Sequence, residues 1–136
     1  MRVAGDVFHL AIPAYDLDEA EHFYVGLLGC KLARRYPDRI TVDFFGDQLV
    51  CHLTEVPSEG RPEELDLYPR HFGVTFRDGP AFDAVVLLCR QRKVPVFRPV
   101  ARRFEGMAEV HRTFVLRDPA DNLIEFKHYD DPRMMY

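Results

Sequence analysis

The stretch RHFGVTF, residues 70–76, decides the fold. Alternation puts Phe72, Val74 and Phe76 on one face and His71, Gly73 and Thr75 on the other, the period-two pattern of a half-buried strand. The pattern has an earlier counterpart in DVFHLAIP (6–13), where Phe8, Leu10 and Ile12 oppose Val7, His9 and Ala11. Each strand carries a histidine on its less apolar face, followed two residues on by a small residue, Ala11 or Gly73. The segments after the two strands repeat as well. DLDEAEHFYVGLLG reads as an amphipathic helix opened by Asp16, with Glu19 three residues later, and closed by Gly29. CKLARRY, RITVDFF and QLVCHLTE are then three strands separated by PD and GD turn signals. After RHFGVTF, GPAFDAVVLLCRQRK is a helix with proline near its first turn and cations in its last. VPVFRPVA, EVHRTFVLR and NLIEFKHY come next as strands, with a loop at RRFEGMAE and a turn at DPADN.

The chain is therefore two copies of β-α-β-β-β, at about 5–56 and 68–129, and the fold class is α+β. VPSEGRPEELDLYP, with three prolines and a run of acids, is the exposed connection, and DDPRMMY reads as a loosely held tail. With 136 residues, 47% hydrophobic and 12% aromatic, the chain suits a single domain spanning 1–136. The net charge of −4 and scattered arginines argue against a nucleic-acid surface or a membrane-binding helix, leaving a small molecule as the expected partner. The N-terminal residues hold no signal-peptide h-region, so a cytoplasmic location is expected. Cys30, Cys51 and Cys89 are odd in number and sit among apolar residues, as buried reduced thiols do.

The repeat makes the histidines interpretable. His9 and His71 hold the same place in the first strand of each copy, and His52 and Glu125 both lie in the fourth. If the copies pack about a pseudo-two-fold axis, these four side chains converge. Three imidazoles and a carboxylate buried without a cation would need partners in a low-dielectric cleft, whereas one divalent ion satisfies all of them. His9, His52, His71 and Glu125 are thus the candidate metal ligands. Two histidines and a carboxylate suit iron(II) with open positions, which is favoured, and a third histidine also admits Mn, Ni, Co or Zn. The alternative for each strand histidine is a hydrogen-bonded structural residue, and for Glu125 an exposed carboxylate paired with Lys127.

FHLAIPAYDLDEAEHFYVGLLGCKL, HFGV and DPADNLIEF resemble the strand-helix opening, the second-copy strand and the closing turn of the vicinal oxygen chelate superfamily, which includes glyoxalases, extradiol dioxygenases and bleomycin-resistance proteins. The likeness covers nearly the whole chain. FFGDQLVCHL, RHFGV and IEFK are further similar to a subgroup of small extradiol-type dioxygenase-like proteins. The resemblance implies a curved mixed sheet with a metal on its concave face, open to two neighbouring substrate oxygens. By position it carries the ligands to His9, His71 and Glu125, with His52 at the fourth place or acting as an acid-base group beside it. It also implies a homodimer. The expected function is a dioxygenase-like oxidoreductase; a glyoxalase-type lyase or isomerase and a non-catalytic resistance protein are the alternatives.

Departures from the family pattern are informative. Glyoxalases commonly have a carboxylate at the place of His52, where it serves as a base. Ring-cleaving extradiol enzymes usually add a histidine upstream of the second ligand and a tyrosine on the penultimate strand. This chain lacks a histidine between Glu55 and Arg70, and HRTFVLR has no tyrosine; His111, on the face shared with Thr113 and Val115, is the candidate substitute. Asp121 stands where the turn usually has glycine, at some strain. Asp43 is expected to pair with an arginine across the sheet, Arg102 and Arg103 are loop residues able to clamp a carboxylate, His22 is solvated, and His128 points away from the metal.

Overall fold

Both copies of the repeat form, each with its own four-stranded sheet. In a computed structural model describing residues 2–136, the first copy comprises β1 (His9–Ala14), α1 (Leu17–Glu21) continued by a π-helical segment (His22–Leu27), β2 (Lys31–Tyr36), β3 (Arg39–Phe44) and β4 (Asp47–Leu53). The second comprises β5 (Phe72–Phe76), α2 (Gly79–Gln91), β6 (Val96–Arg103), β7 (His111–Arg117) and β8 (Leu123–Tyr129). The sheet orders are β1-β4-β3-β2 and β5-β8-β7-β6, the same arrangement twice. In each, the first strand runs parallel to the fourth and the other pairs are antiparallel. The curved mixed sheet expected from the sequence is thus two mixed sheets, within compact units Met1–Arg61 and Pro62–Tyr136.

Asp16 starts the first helix as its position suggests, accepting from the backbone N–H groups of Asp18 at 2.7 Å and Glu19 at 3.0 Å. The helix does not remain α. Phe23 and Tyr24 are consecutive and both buried, and the wider turn lets both rings face inward, Leu28 N–H donating to the Phe23 carbonyl five residues back. Tyr24 meets Phe44 of β3 edge-on at 6.3 Å, while Ile12, Ile40, Val42, Leu49 and Cys51 complete the buried face. In the second unit Phe82 of α2 packs against Phe114, which stacks on Phe126 at 5.1 Å.

Several boundaries differ from expectation. β6 runs on through Arg102 and Arg103, because the ladder continues with Arg103 opposite His111. The tail is not loose: Asp131 caps a 3-10 turn over Pro132–Met135. The β3–β4 hairpin turns on Phe45 and Gly46, both at positive φ, and Asp43 accepts from Gly46 N–H at 2.8 Å instead of pairing with an arginine. Asp121 has φ +67°, and the strain is offset by Arg117, whose Nε donates to its carboxylate at 2.8 Å. Cys30, Cys51 and Cys89 are buried and stand outside any disulfide. Among the described residues no helix is long and apolar enough to cross a membrane.

Candidate metal centre and pocket

β7 and β8 pair with His111 opposite Tyr129, Thr113 opposite Lys127 and Val115 opposite Glu125. Cross-strand partners share a face. β6 extends that face, with Arg103 opposite His111, Ala101 opposite Thr113 and, across one register shift, Arg98 opposite Val115. The turn before β8 fixes this register: buried Asp118 accepts from the N–H groups of Ala120 and Asn122, the DPADN signal at work. The paired residues of that β6–β7–β8 face, with Leu67, Tyr68 and Phe104, line a pocket of about 160 Å³ within the second unit. A cavity of roughly 150 Å³ holds one benzene ring, so a single-ring molecule fits.

Glu125 is only 5% exposed, not the exposed carboxylate of the alternative reading. Its Oε1 accepts from Thr113 Oγ1 at 2.7 Å. Its Oε2 has Lys127 Nζ at 3.0 Å and His71 Nε2 at 3.1 Å. Neither neighbour is aligned as a hydrogen-bond donor, so this buried oxygen lacks a hydrogen-bond partner; the pairing is electrostatic and its lone pairs are unspent.

His71 completes the arrangement. Its Nδ1 lies 2.8 Å from the Leu67 carbonyl, which only accepts, so Nδ1 carries the proton. Nε2 then either holds a second proton or presents a lone pair to the carboxylate. Metal-ligating histidines usually donate their other ring N–H to a carbonyl or carboxylate, and the Nδ1 contact to Leu67 has that form, with Nε2 directed to Glu125. Gly73 makes the approach possible: opposite Glu125 in the β5–β8 register, a Cβ there would sit 1.7 Å from the Glu125 carbonyl oxygen.

His111 also spends Nδ1 on a backbone carbonyl, that of Glu109 at 2.9 Å, leaving Nε2 free as a base. Its ring lies 4.7 Å from that of Tyr129. The pocket thus supplies a tyrosine missing from β7; its signal was Tyr129, at even spacing from Glu125 on the same strand. Lys127, Tyr68 and Arg98 are pocket residues the sequence reading also missed. Arg102 and Arg103 part by alternation: Arg102 pairs with Asp130 at 2.6 Å, while Arg103 faces the pocket. His128 points away as expected, its Nδ1 toward the Phe76 carbonyl at 3.2 Å.

In the first unit, His9 is opposite Gln48, and its Nδ1 meets the Gln48 amide oxygen at 2.6 Å. His52 is opposite Pro13, four residues farther along the same ladder, or roughly 13 Å at strand rise. In the second unit Glu125 is opposite the residue two beyond His71; the matching place in the first is Val50, opposite Ala11. His52 therefore corresponds to Lys127 and not to Glu125. Among the described residues, no three His, Cys, Asp or Glu side chains gather at ligand distance; the one close pair of proposed ligands is His71 with Glu125.

Residues 6–126 match the family model for the Glyoxalase/Bleomycin resistance protein/Dioxygenase superfamily. Among solved structures, a glyoxalase/bleomycin resistance protein/dioxygenase from Alicyclobacillus acidocaldarius is 62% identical over 100% of both chains, with a TM-score of 0.91. Lactoylglutathione lyase from Agrobacterium tumefaciens is 20% identical, covering 96% of this chain and 97% of its own, at 0.68. The fosfomycin resistance protein FosX from Listeria monocytogenes is 12% identical, covering 96% and 98%, also at 0.68; these last two show the fold alone. No curated protein matches the sequence.

Proposed function

Since the chain belongs to the glyoxalase/bleomycin resistance/dioxygenase superfamily, we propose that it is a divalent-metal enzyme acting on a small substrate with adjacent oxygens, most closely an extradiol-type dioxygenase. The observation that carries the reading is buried Glu125 Oε2, unspent and facing His71 Nε2. The donor set fits a divalent ion: one carboxylate and an imidazole whose tautomer is already fixed. His9, with Nδ1 likewise engaged, is the proposed third ligand, whichever copy of the chain of an expected homodimer supplies it.

A bound ion would act as Lewis acid and template for the paired oxygens and, as iron(II), would supply oxygen chemistry. The chain's own groups do the rest. His111 Nε2 accepts the substrate hydroxyl proton, and Tyr129 beside it donates to a developing oxyanion. Thr113 holds the carboxylate rotamer. His52, out of register with Glu125, lies outside the ligand set. The His111–Tyr129 pair, in the pocket with Glu125, favours ring cleavage over the lyase alternative.

The test is elemental analysis of protein purified without chelator, followed by oxygen uptake with iron(II) and catechols or 2-oxo acids, against His71→Ala. Near-stoichiometric metal and uptake, both lost in the variant, are expected. Turnover under strict anaerobiosis would instead favour the lyase or isomerase. A specific observation favours a further reading: Lys127 Nζ at 3.0 Å from Glu125 can neutralise it without metal. Metal-free protein that cannot be loaded but binds aromatic ligands would establish that sequestering role.

A further inference from the structure

Six of the fifteen arginines are tightly committed to carboxylates. Arg35, Arg39, Arg102, Arg112, Arg117 and Arg133 each hold a carboxylate within 2.8 Å. Arg98 and Arg103 differ. Among the described residues neither forms an ion pair; their guanidinium carbons lie 5.7 and 5.9 Å from the adjacent rings of Phe97 and Phe104, and both line the pocket that contains Glu125.

Their positions are set by the β6 ladder. Arg98 is opposite Val115, itself opposite Glu125, so it stands two strands across from the carboxylate, about 10 Å between backbones. Arg103 is opposite His111 at the Tyr129 end. One wall of the pocket thus carries Glu125, already flanked by Lys127, and the other carries two unpaired forks suited to bidentate contact with a planar anion. The space between has one-ring dimensions, with Tyr68, Phe104 and Tyr129 as aromatic walls.

We propose that Arg98 and Arg103 bind a carboxylate of the substrate, so that the substrate class is a single-ring or similarly small acid whose carboxylate lies across the molecule from its adjacent oxygens. This rests on the proposed function for the oxygens, but not for the carboxylate. Arg98 and Arg103 are exposed at the pocket wall, so they select an anion over its neutral isostere through the charge-assisted bidentate hydrogen bonds that only the anion accepts. The β6 register shift between Arg98 and Ala101 brings Arg98 into line with Arg103, which is two residues from Ala101 on the regular ladder.

The probes are benzoate and benzamide, which carry no adjacent oxygens and so do not report on chelation. Titrated into the isotope-labelled full chain and followed by amide chemical shifts, benzoate is expected to bind at least tenfold more tightly than benzamide, weakening as salt rises. Arg98→Gln with Arg103→Gln should remove the preference, while Arg102→Gln, already paired with Asp130, should keep it. Equal or absent shifts with the two probes, or a preference that survives the double variant, would overturn the proposal. Metal loading assayed in parallel separates the readings: loss of loading with the benzoate preference intact defeats the metal enzyme alone, and the reverse defeats the carboxylate site alone.

Discussion

Gly73→Ala should damage the centre although residue 73 contributes no side chain to it. The added Cβ would lie 1.7 Å from the Glu125 carbonyl oxygen and 2.6 Å from its carbonyl carbon, where ordinary contact begins near 3.4 Å. These are backbone atoms, so no rotamer change relieves the clash. β5 must move away from β8 by about 1.7 Å, a third of the normal strand spacing, and the parallel ladder from Phe72 to Phe76 weakens. Overpacking costs about 1–3 kcal/mol and each weakened ladder bond up to about 1 more, giving roughly 3 kcal/mol in all. For a domain of this size that lowers Tm by roughly 10 °C. The shift also carries His71 away from Glu125, so bound metal should fall with stability. Calorimetry and metal analysis of the purified variant check both. A variant within 2 °C of wild type, with undiminished metal, would refute the argument that the close approach of β5 to β8 builds the site.

Single contacts carry the other expected outcomes. Thr113→Val removes the buried donor to Glu125 Oε1 and should weaken metal binding by about 10–100-fold in a chelator competition. His52→Ala should retain metal, whereas Glu125→Gln should lose it; equal loss in both would return His52 to the ligand set. Burial, helped by the charge of Asp43, pushes the Cys30 thiol up to about 12, and burial pushes Cys89 up to about 11. Both should therefore resist a thiol reagent in the folded protein at pH 8 and react on unfolding. Folded values above the unfolded value of 9 mean the unfolded chain releases these protons first, so stability should fall as pH rises above about 9, read as a falling Tm.

Much of the architecture was legible because it is written in short-range signals that tertiary contacts do not override. Alternation in RHFGVTF, the Asp16 cap and the DPADN turn each determine local geometry, and their recurrence gave the repeat. His71 and Glu125 were legible as a pair because Gly73 and the Asp118-centred turn hold their register. The register of His52 was not legible because aligning repeats by strand says nothing of slip along a ladder; its offset from the place of Glu125 appears only in the pairing of Pro13 with His52. The π-helical turn was hidden because its cause, two adjacent buried aromatics, is a packing demand and not a helix-end signal. Arg102 and Arg103 were placed in a loop for a related reason. RRF reads as a loop, yet the ladder extends through it, and strand alternation then sends Arg102 to Asp130 and Arg103 inward.

The pairing of first strand with fourth in each copy also bears on how the chain is made. The first sheet has all its strands once Leu53 has been synthesised, and the second is completed only at Tyr129, about 75 residues later. At roughly 5–20 residues per second the interval is about 4–15 s, while sheets with such non-local pairing close in milliseconds to seconds. The earlier ladder therefore has time to form before its look-alike exists. Serial synthesis in this way keeps β1 from taking β8 as its neighbour, a mispairing that two repeats of the same topology would otherwise invite, and that refolding of the full-length chain from denaturant would expose as a slower or lower-yield recovery.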